Sequence, residues 1–246
     1  MKGWKSMAMG TLLAGCAHLS QAQGQTLTLG FGINKPPYVY EFEARGLEFE
    51  IVAAALREAG DEMRPYYAPL ERLHLMLQRG ELDAIAATSP ASAVKAYYSD
   101  SYLSYQNVAI TLARDNIELN SIADLSSYSV SAFQRASHLL GNEFGAMVSR
   151  NPRYREEARQ VTRNLLLYSG RVQVVVADER IFAAFQPVVA DQVDITLPIT
   201  RHRLFAPTPY SVGFSKPAPR DRFNQGLAAL RESGEYARIM ARYSSP

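Results

Sequence analysis

Residues 170–185 read GRVQVVVADERIFAAF, and this stretch decides the class of fold. The apolar, mostly β-branched run from Val172 to Ala177 predicts a buried strand, and the residues that follow it predict a helix. Asp178 therefore lies where the carboxyl end of a strand meets the amino end of a helix. An aspartate at such a junction either caps the helix or contacts a ligand, because α/β proteins bind ligands at strand carboxyl ends.

The same alternation of strands and helices runs through the rest of the chain. TLTLGFGI at 26–33 predicts a strand, EIVAAALREAG at 50–60 a helix that ends at Gly60, and LDAIAAT at 82–88 a short buried strand. A comparable succession begins again near residue 115. Strands that alternate with helices indicate an α/β fold built on parallel sheets. Because this succession of strands and helices begins a second time near residue 115, the sequence predicts two lobes.

The composition is that of a folded protein with nearly balanced charge. Apolar residues make up 47% and charged residues 20% of the 246 residues, which is enough apolar material for a hydrophobic core. The formal net charge of +2 comes from Lys2 and Lys5, so the rest of the chain is neutral. A neutral body argues against nucleic acid or another polyanion as the main partner.

Residues 1–22 have the form of a secretory signal peptide. A basic start precedes a short apolar stretch, and Ser20 and Ala22 supply small residues before a cleavage site. A second interpretation is a lipoprotein signal, because LAGC at 13–16 resembles a lipobox in which Cys16 carries the lipid. Both interpretations place the protein in the periplasm or elsewhere outside the cytoplasm, and only lipidation at Cys16 would attach it to a membrane. The chain has no other cysteine, so no disulfide is expected in the folded body.

Several motifs occur together in a characteristic order. They are PPYVY followed by GLEFEIV, then LQRGELDAIAAT, YYSDSYL, GRVQVVVAD and the closing GLAALRESGEYARIMARY. In this order they resemble the motifs of the bacterial extracellular solute-binding proteins of family 3, the capture subunits of polar amino-acid ABC importers. The resemblance extends over residues 26–243.

The resemblance implies a two-lobed α/β fold of the type II periplasmic-binding-protein kind, with mixed sheets, flanking helices and a two-strand hinge. Lobe 1 is expected to hold residues 26–111 plus 213–246 and lobe 2 residues 112–212, with hinge strands near 110–112 and 212–214. A ligand binds in the cleft and the lobes close over it by a hinge motion. The implied partners are a small polar ligand and an ABC permease, and a monomer without a cofactor is expected.

For Asp178, the resemblance favours a ligand contact. Family members that bind amino acids use an aspartate at this position to accept the ligand's ammonium group through charge-assisted hydrogen bonds. They also carry an arginine after the strand that corresponds to 82–88, and its guanidinium binds the ligand's carboxylate. The corresponding tract here, TSPASAVKAYYSD at 88–100, has no arginine, and Ser92 or Lys95 takes that position. The inference that the ligand is a free α-amino acid is therefore weakened, and an amine, a modified amino acid or an unrelated compound stays open as the ligand.

Four residues of the predicted first lobe are further ligand candidates. Tyr38 and Tyr40 lie where family members place an aromatic ring against the ligand, but their spacing also suits a core or rim position. Thr88 and Ser89 either donate hydrogen bonds to the ligand or form the turn before a proline.

The missing cation has two candidate replacements besides Lys95. Arg72 either faces the cleft or forms a surface salt bridge, and Arg135 opens a helix together with Ser137, where an anionic group is favoured. Glu48 and Glu50 are interpreted as solvated or capping residues of a first helical turn.

No sequence feature indicates a metal site or a catalytic motif. The histidines have no ligand-type spacing with Cys, Asp or Glu, and there is no P-loop and no G-x-S-x-G motif. The leading hypothesis is therefore binding without catalysis. Two alternatives stay open: a periplasmic enzyme of the cyclohexadienyl dehydratase type, with Asp178 or Glu179 as general acid, and a sensory module that works with a separate signalling protein.

Overall fold

The computed structural model describes residues 24–244. The predicted signal peptide at 1–22 and the lipidation site Cys16 lie outside these residues. Among residues 24–244, no helix has the length and apolar character needed to cross a bilayer.

Two mixed sheets form the framework of the protein. The first has the order β2-β1-β3-β11-β4, with β5 also paired to β11, and the second has the order β10-β6-β9-β7-β8. Strands β1, β2 and β3 are parallel, whereas β11 runs antiparallel to its partners. The strands are β1 (Thr26–Gly32), β2 (Glu62–Ala68), β3 (Ala84–Thr88), β4 (Tyr97–Tyr98), β5 (Leu103–Tyr105), β6 (Asn107–Leu112), β7 (Val130–Phe133), β8 (Tyr154–Glu157), β9 (Val174–Asp178), β10 (Ile199–His202) and β11 (Thr208–Phe214).

Helices flank both sheets. Close packing of the helix Pro217–Glu232 on the helix Leu47–Glu58 requires glycine at 226, since a Cβ there would lie 2.0 Å from the carbonyl oxygen of Ala55. The helices are α1 (Leu47–Glu58), α2 (Leu70–Gln78), α3 (Ala136–Leu139), α4 (Asn142–Arg150), α5 (Gln160–Tyr168), α6 (Glu179–Phe185), α7 (Pro217–Glu232) and α8 (Glu235–Arg242).

Strand β9 is buried on both faces, which explains its unbroken apolar sequence. Val174 and Val176 pack into one hydrophobic cluster together with Phe144, whereas Val175 and Ala177 pack into the cluster on the opposite face. Each fully buried valine stabilises the fold by about 1.5–3 kcal/mol. The strand pairs with β6 and β7 along its two edges. It therefore holds Asp178 at a fixed position at its carboxyl end.

The chain changes sheet twice. It passes from β5 to β6 through Gln106 and returns between β10 and β11. The predicted hinge segments 110–112 and 212–214 lie inside β6 and β11, which pair with their own sheets. Both changes of sheet thus come earlier in the chain than the lobe boundaries predicted from the sequence. Those boundaries assign residues 26–111 plus 213–246 to lobe 1 and residues 112–212 to lobe 2. Those boundaries stay a prediction.

A buried ion pair holds the loop after β1 to helix α1. Lys35 Nζ lies 2.8 Å from Glu48 Oε2, and both side chains are almost fully buried. The Tyr105 hydroxyl accepts from Lys35 Nζ at 3.0 Å and donates to the same oxygen of Glu48. The interpretation of Glu48 as a solvated or capping residue is therefore wrong, because Lys35 supplies the counter-charge that allows its burial. Glu50 stays partly exposed and accepts from Arg242 at 2.7 Å.

The variant Lys35→Met leaves the carboxylate of Glu48 buried without a cation. We expect the free energy of unfolding, measured by denaturant titration, to fall by about 3–5 kcal/mol. The double variant Lys35→Met/Glu48→Gln removes both charges and should recover most of that loss. Arg79→Met, which breaks an exposed pair with Glu81, should cost less than about 1 kcal/mol. Equal losses in the single and double variants would contradict a charge-pairing role.

Candidate functional site

A cavity of about 60 Å³ lies between the two sheets. The first-sheet side contributes Ile33, Lys35, Leu70, Ala87, Tyr105 and Tyr210, and the second-sheet side contributes Asn107, Phe133, Gln134, Ala158, Gln160, Arg163, Asp178 and Ile181. The cavity therefore has walls on the sides of both sheets, as ligand pockets between two structural units do.

Asp178 lines this cavity, and it also caps helix α6. Its Oδ1 accepts from the backbone nitrogens of Arg180 and Ile181, each at 3.0 Å. Its Oδ2 accepts from the backbone nitrogen of Gln106 at 3.0 Å and from the Tyr38 hydroxyl at 3.1 Å. A carboxylate has about four acceptor positions, so these donors fill them. Burial raises the pKa of Asp178, while the same hydrogen bonds oppose that rise.

The two tyrosines proposed from sequence have different surroundings. Tyr38 is buried and stacks on Tyr105, with ring centroids 4.1 Å apart. Burial, followed by the charge of Asp178, raises the pKa of Tyr38, so its hydroxyl stays protonated and donates to that carboxylate. Tyr40 is only partly buried, and Arg45 lies over its ring at 3.4 Å. Because this segment is a series of turns and isolated bridges rather than a strand, the two rings do not share one face.

Arg135 joins the two lobes. Its Nη1 lies 2.9 Å from Glu71 Oε2 on α2, and its Nη2 donates to the carbonyl of Ser92. Its charge is therefore paired within the protein and is not directed to the cavity. The α3 N-terminus is likewise filled by the protein's own carboxylate, because Glu156 accepts from the backbone nitrogens of Arg135 and Ser137 and from the Ser137 hydroxyl.

The residues proposed from the loop after β3 do not line the cavity among the residues described. Thr88 is fully buried, and its hydroxyl lies 2.9 Å from His74 Nε2. Ser89 is partly buried and precedes the 3₁₀ turn at 90–92, as its alternative role in a turn predicts. Lys95 is exposed and borders a separate surface depression.

Helix α2 directs its charged residues away from the cavity. Arg72 is exposed on the outer face of the helix, whereas Leu73 and His74 are buried beneath it. Burial is the main reason that the pKa of His74 falls to about 4, so this histidine is neutral at physiological pH.

Within residues 24–244, no group of three or more His, Cys, Asp or Glu side chains is arranged to hold a metal ion.

The cation that sequence reasoning missed is Arg163 on helix α5. Its side chain is among the largest that are fully buried, and it lines the cavity. Burial lowers the pKa of Arg163 to about 10, with Glu157 opposing the effect, so the guanidinium stays charged at neutral pH. A signal was present in the sequence: Arg163 lies three and four residues before the buried Leu166 and Leu167, on the apolar face of α5.

Solved structures of similar fold belong to binding and sensor proteins. An ancestral arginine-binding protein bound to arginine matches with a TM-score of 0.72 and 18% identity, over 89% of this chain and 98% of that chain. A histidine kinase sensor domain with similarity to periplasmic binding proteins matches with a TM-score of 0.74 and 17% identity, over 90% and 96%. The ancestral amino acid-binding protein AncCDT-1, a precursor of cyclohexadienyl dehydratase, matches with a TM-score of 0.66 and 17% identity, over 89% and 96%.

These similarities confirm the two-lobed type II periplasmic-binding-protein fold predicted from the sequence. No curated protein matches the sequence closely enough to count as a relative. The model of the bacterial extracellular solute-binding proteins, family 3, matches residues 27–246, which is nearly the whole chain. The resemblance inferred from the motifs is thereby confirmed, and the chain belongs to the bacterial extracellular solute-binding proteins, family 3.

Proposed function

We propose that this protein is an extracytoplasmic solute-binding protein that captures a small polar ligand for an ABC importer. The ligand is an amino acid or a related amine or acid, and it is enclosed when the two lobes close. The observation that carries this proposal is the cavity between the sheets, which has walls from both lobes. Membership of the solute-binding family supports the same function.

Closure requires contacts that exist only when the lobes meet. Two such contacts are the hydrogen bond from Tyr38 to Asp178 and the ion pair of Arg135 with Glu71. They lie in different places around the cavity and join residues that are 140 and 64 positions apart in the chain. We infer that both contacts favour the closed state of the ligand-free protein, and that a bound ammonium replaces the first of them with a contact of its own to Asp178.

The proposed location is the periplasm, with residues 1–22 as the export signal and lipidation at Cys16 as the alternative anchor. The proposed partner is the permease of an importer, with the protein acting as a monomer.

A sensory module is a second candidate function, and the fold-level similarity to a histidine kinase sensor domain supports it.

Binding is favoured over catalysis by the surroundings of the two proposed acids. Glu179 Oε2 lies 3.1 Å from Arg203 Nη2 at a partly exposed site, and Glu179 does not line the cavity among the described residues. Asp178 has its acceptor positions filled by protein donors. The similarity to a precursor of cyclohexadienyl dehydratase keeps the enzyme as the alternative, and turnover of prephenate or arogenate would favour it.

A thermal-shift screen of amino acids, amines and small acids tests the binding function. We expect at least one compound to raise the melting temperature, because a ligand at a hundred times its Kd adds about 2.7 kcal/mol of stability. Ala158→Phe fills the cavity and should abolish that shift, whereas Ala146→Phe, at an exposed position on α4, should preserve it. A screen without any shift would contradict the proposed function.

The variant Glu71→Gln tests the contribution of the ion pair to closure. Because Glu71 is half-exposed, the pair contributes about 0.2–1 kcal/mol, so we expect ligand affinity to fall by up to about fivefold. Small-angle scattering of the ligand-free variant should also show a larger radius of gyration. Glu81→Gln removes a charge that is paired within one lobe and should change neither measurement. Unchanged affinity and radius in Glu71→Gln would contradict the role in closure.

Asp178 is proposed to accept a ligand ammonium in place of the Tyr38 hydroxyl, which is the donor that comes from the opposite lobe. Asp178→Ala should then weaken the binding of an ammonium-bearing ligand by at least about tenfold in calorimetry, or about 1.4 kcal/mol. Glu179→Gln serves as the neighbouring control and should leave the affinity unchanged. If Asp178→Ala binds the ligand normally while its melting temperature falls, the residue acts as a helix cap alone.

A further inference from the structure

Three charged side chains line the cavity, and two of them are already satisfied by the protein. Lys35 is neutralised by Glu48 at 2.8 Å. Asp178 accepts four hydrogen bonds, from three backbone nitrogens and one tyrosine hydroxyl. The third is Arg163, which is the one of these three side chains whose polar atoms are left partly without hydrogen-bond partners among the described residues.

Arg163 has unused hydrogen-bonding capacity. Its Nη2 donates to Gln160 Oε1, but within residues 24–244 its Nε and Nη1 have no hydrogen-bond partner. The nearby carboxylate of Glu157 is engaged by Arg155 at 3.0 Å. A guanidinium that is 1% exposed and unpaired is unfavourable by itself. An anion in the cavity would supply the partners that Arg163 lacks.

The size and lining of the cavity limit what the anion can be. A volume of about 60 Å³ accommodates on the order of five water-sized groups. Ile33, Phe133 and Ile181 supply apolar surface, and the buried Oε1 of Gln134 lacks a partner among the described residues. The apolar lining suits a compact molecule with a short apolar body, Arg163 suits an anionic group on it, and Gln134 Oε1, which only accepts, suits a hydrogen-bond donor.

We propose that Arg163 binds the negatively charged group of the ligand, and that this ligand is a small carboxylate with a short aliphatic body. The planar guanidinium matches the geometry of a carboxylate. The cation then comes from helix α5 beside the second sheet, rather than from the segment after β3, where the family resemblance predicts it. The proposal rests on the proposed binding function and narrows the class of ligand.

Three compounds with the same carbon skeleton size test this proposal: propanoate, L-alanine and isopropylamine. They carry an anion, a zwitterion and a cation, respectively, and calorimetry at constant ionic strength gives the Kd of each. We expect propanoate and L-alanine to bind and isopropylamine to bind more weakly than either. Arg163→Gln should weaken the binding of propanoate by about tenfold or more, since a hydrogen-bonded charge is lost. Arg163→Lys should bind with intermediate affinity, because it keeps the charge without the planar fork.

Arg72→Gln is the matched control, because Arg72 is an exposed arginine that was also a candidate from the sequence. It should leave every affinity unchanged. Thermal melts of the ligand-free Arg163 variants check folding, and we expect Arg163→Gln to melt no lower than the parent protein, since an unpaired buried charge is removed. A folded Arg163→Gln that binds propanoate as tightly as the parent would overturn the proposal. Preferential binding of isopropylamine, or of inorganic phosphate over propanoate, would also overturn it.

The test separates this proposal from the binding function on which it rests. If amino acids or amines from the broader screen bind equally well to the parent protein and to Arg163→Gln, the binding function stands and the role of Arg163 fails. If no compound binds to the parent protein, both fail.

Discussion

The carboxylate of Asp178 joins four parts of the chain that are distant in sequence or belong to different elements. It ends the buried strand β9, caps α6 through two backbone nitrogens, and accepts from the crossing residue Gln106 and from Tyr38 of the opposite lobe. A buried carboxylate is stable only when its acceptor positions are used. The need to satisfy this one group therefore fixes the start of α6, the position of one crossing segment and the approach of the two lobes.

The electrostatics of the cavity follow from which charges are paired. The ion pair of Lys35 with Glu48 adds no net charge, and the Tyr105 hydroxyl hydrogen-bonds to both of its members. Arg135 and Glu71 neutralise each other at the rim. Arg163 is different, because no carboxylate within the described chain lies in salt-bridge contact with it. Unbalanced charge of this kind is unfavourable for folding, and such features are characteristic of binding sites rather than of structural cores.

Three positions interpreted from the sequence as open to solvent or to a ligand have partners within the protein. Arg135 was expected as a free cation, yet its partner Glu71 is 64 positions away and comes from another lobe. The α3 N-terminus was expected to receive an anion, and the anion that occupies it is Glu156 of β8. Glu48 was expected to be solvated or to cap the helix, because no residue near it in the sequence identifies Lys35 as its ion-pair partner. In each case, the deciding partner is far from the residue in sequence.

The sequence by itself determined the α/β class, the two lobes, the buried strand that ends in Asp178 and the family, because hydrophobic periodicity and ordered motifs are local properties of the chain. It also identified Asp178 as a residue at the cleft. Only the tertiary structure decided which charges are paired, and it places Arg163, rather than Lys95 or Arg72, in the wall of the cavity. Charge pairing depends on distances between side chains that folding brings together from separate elements, and no local pattern contains that information.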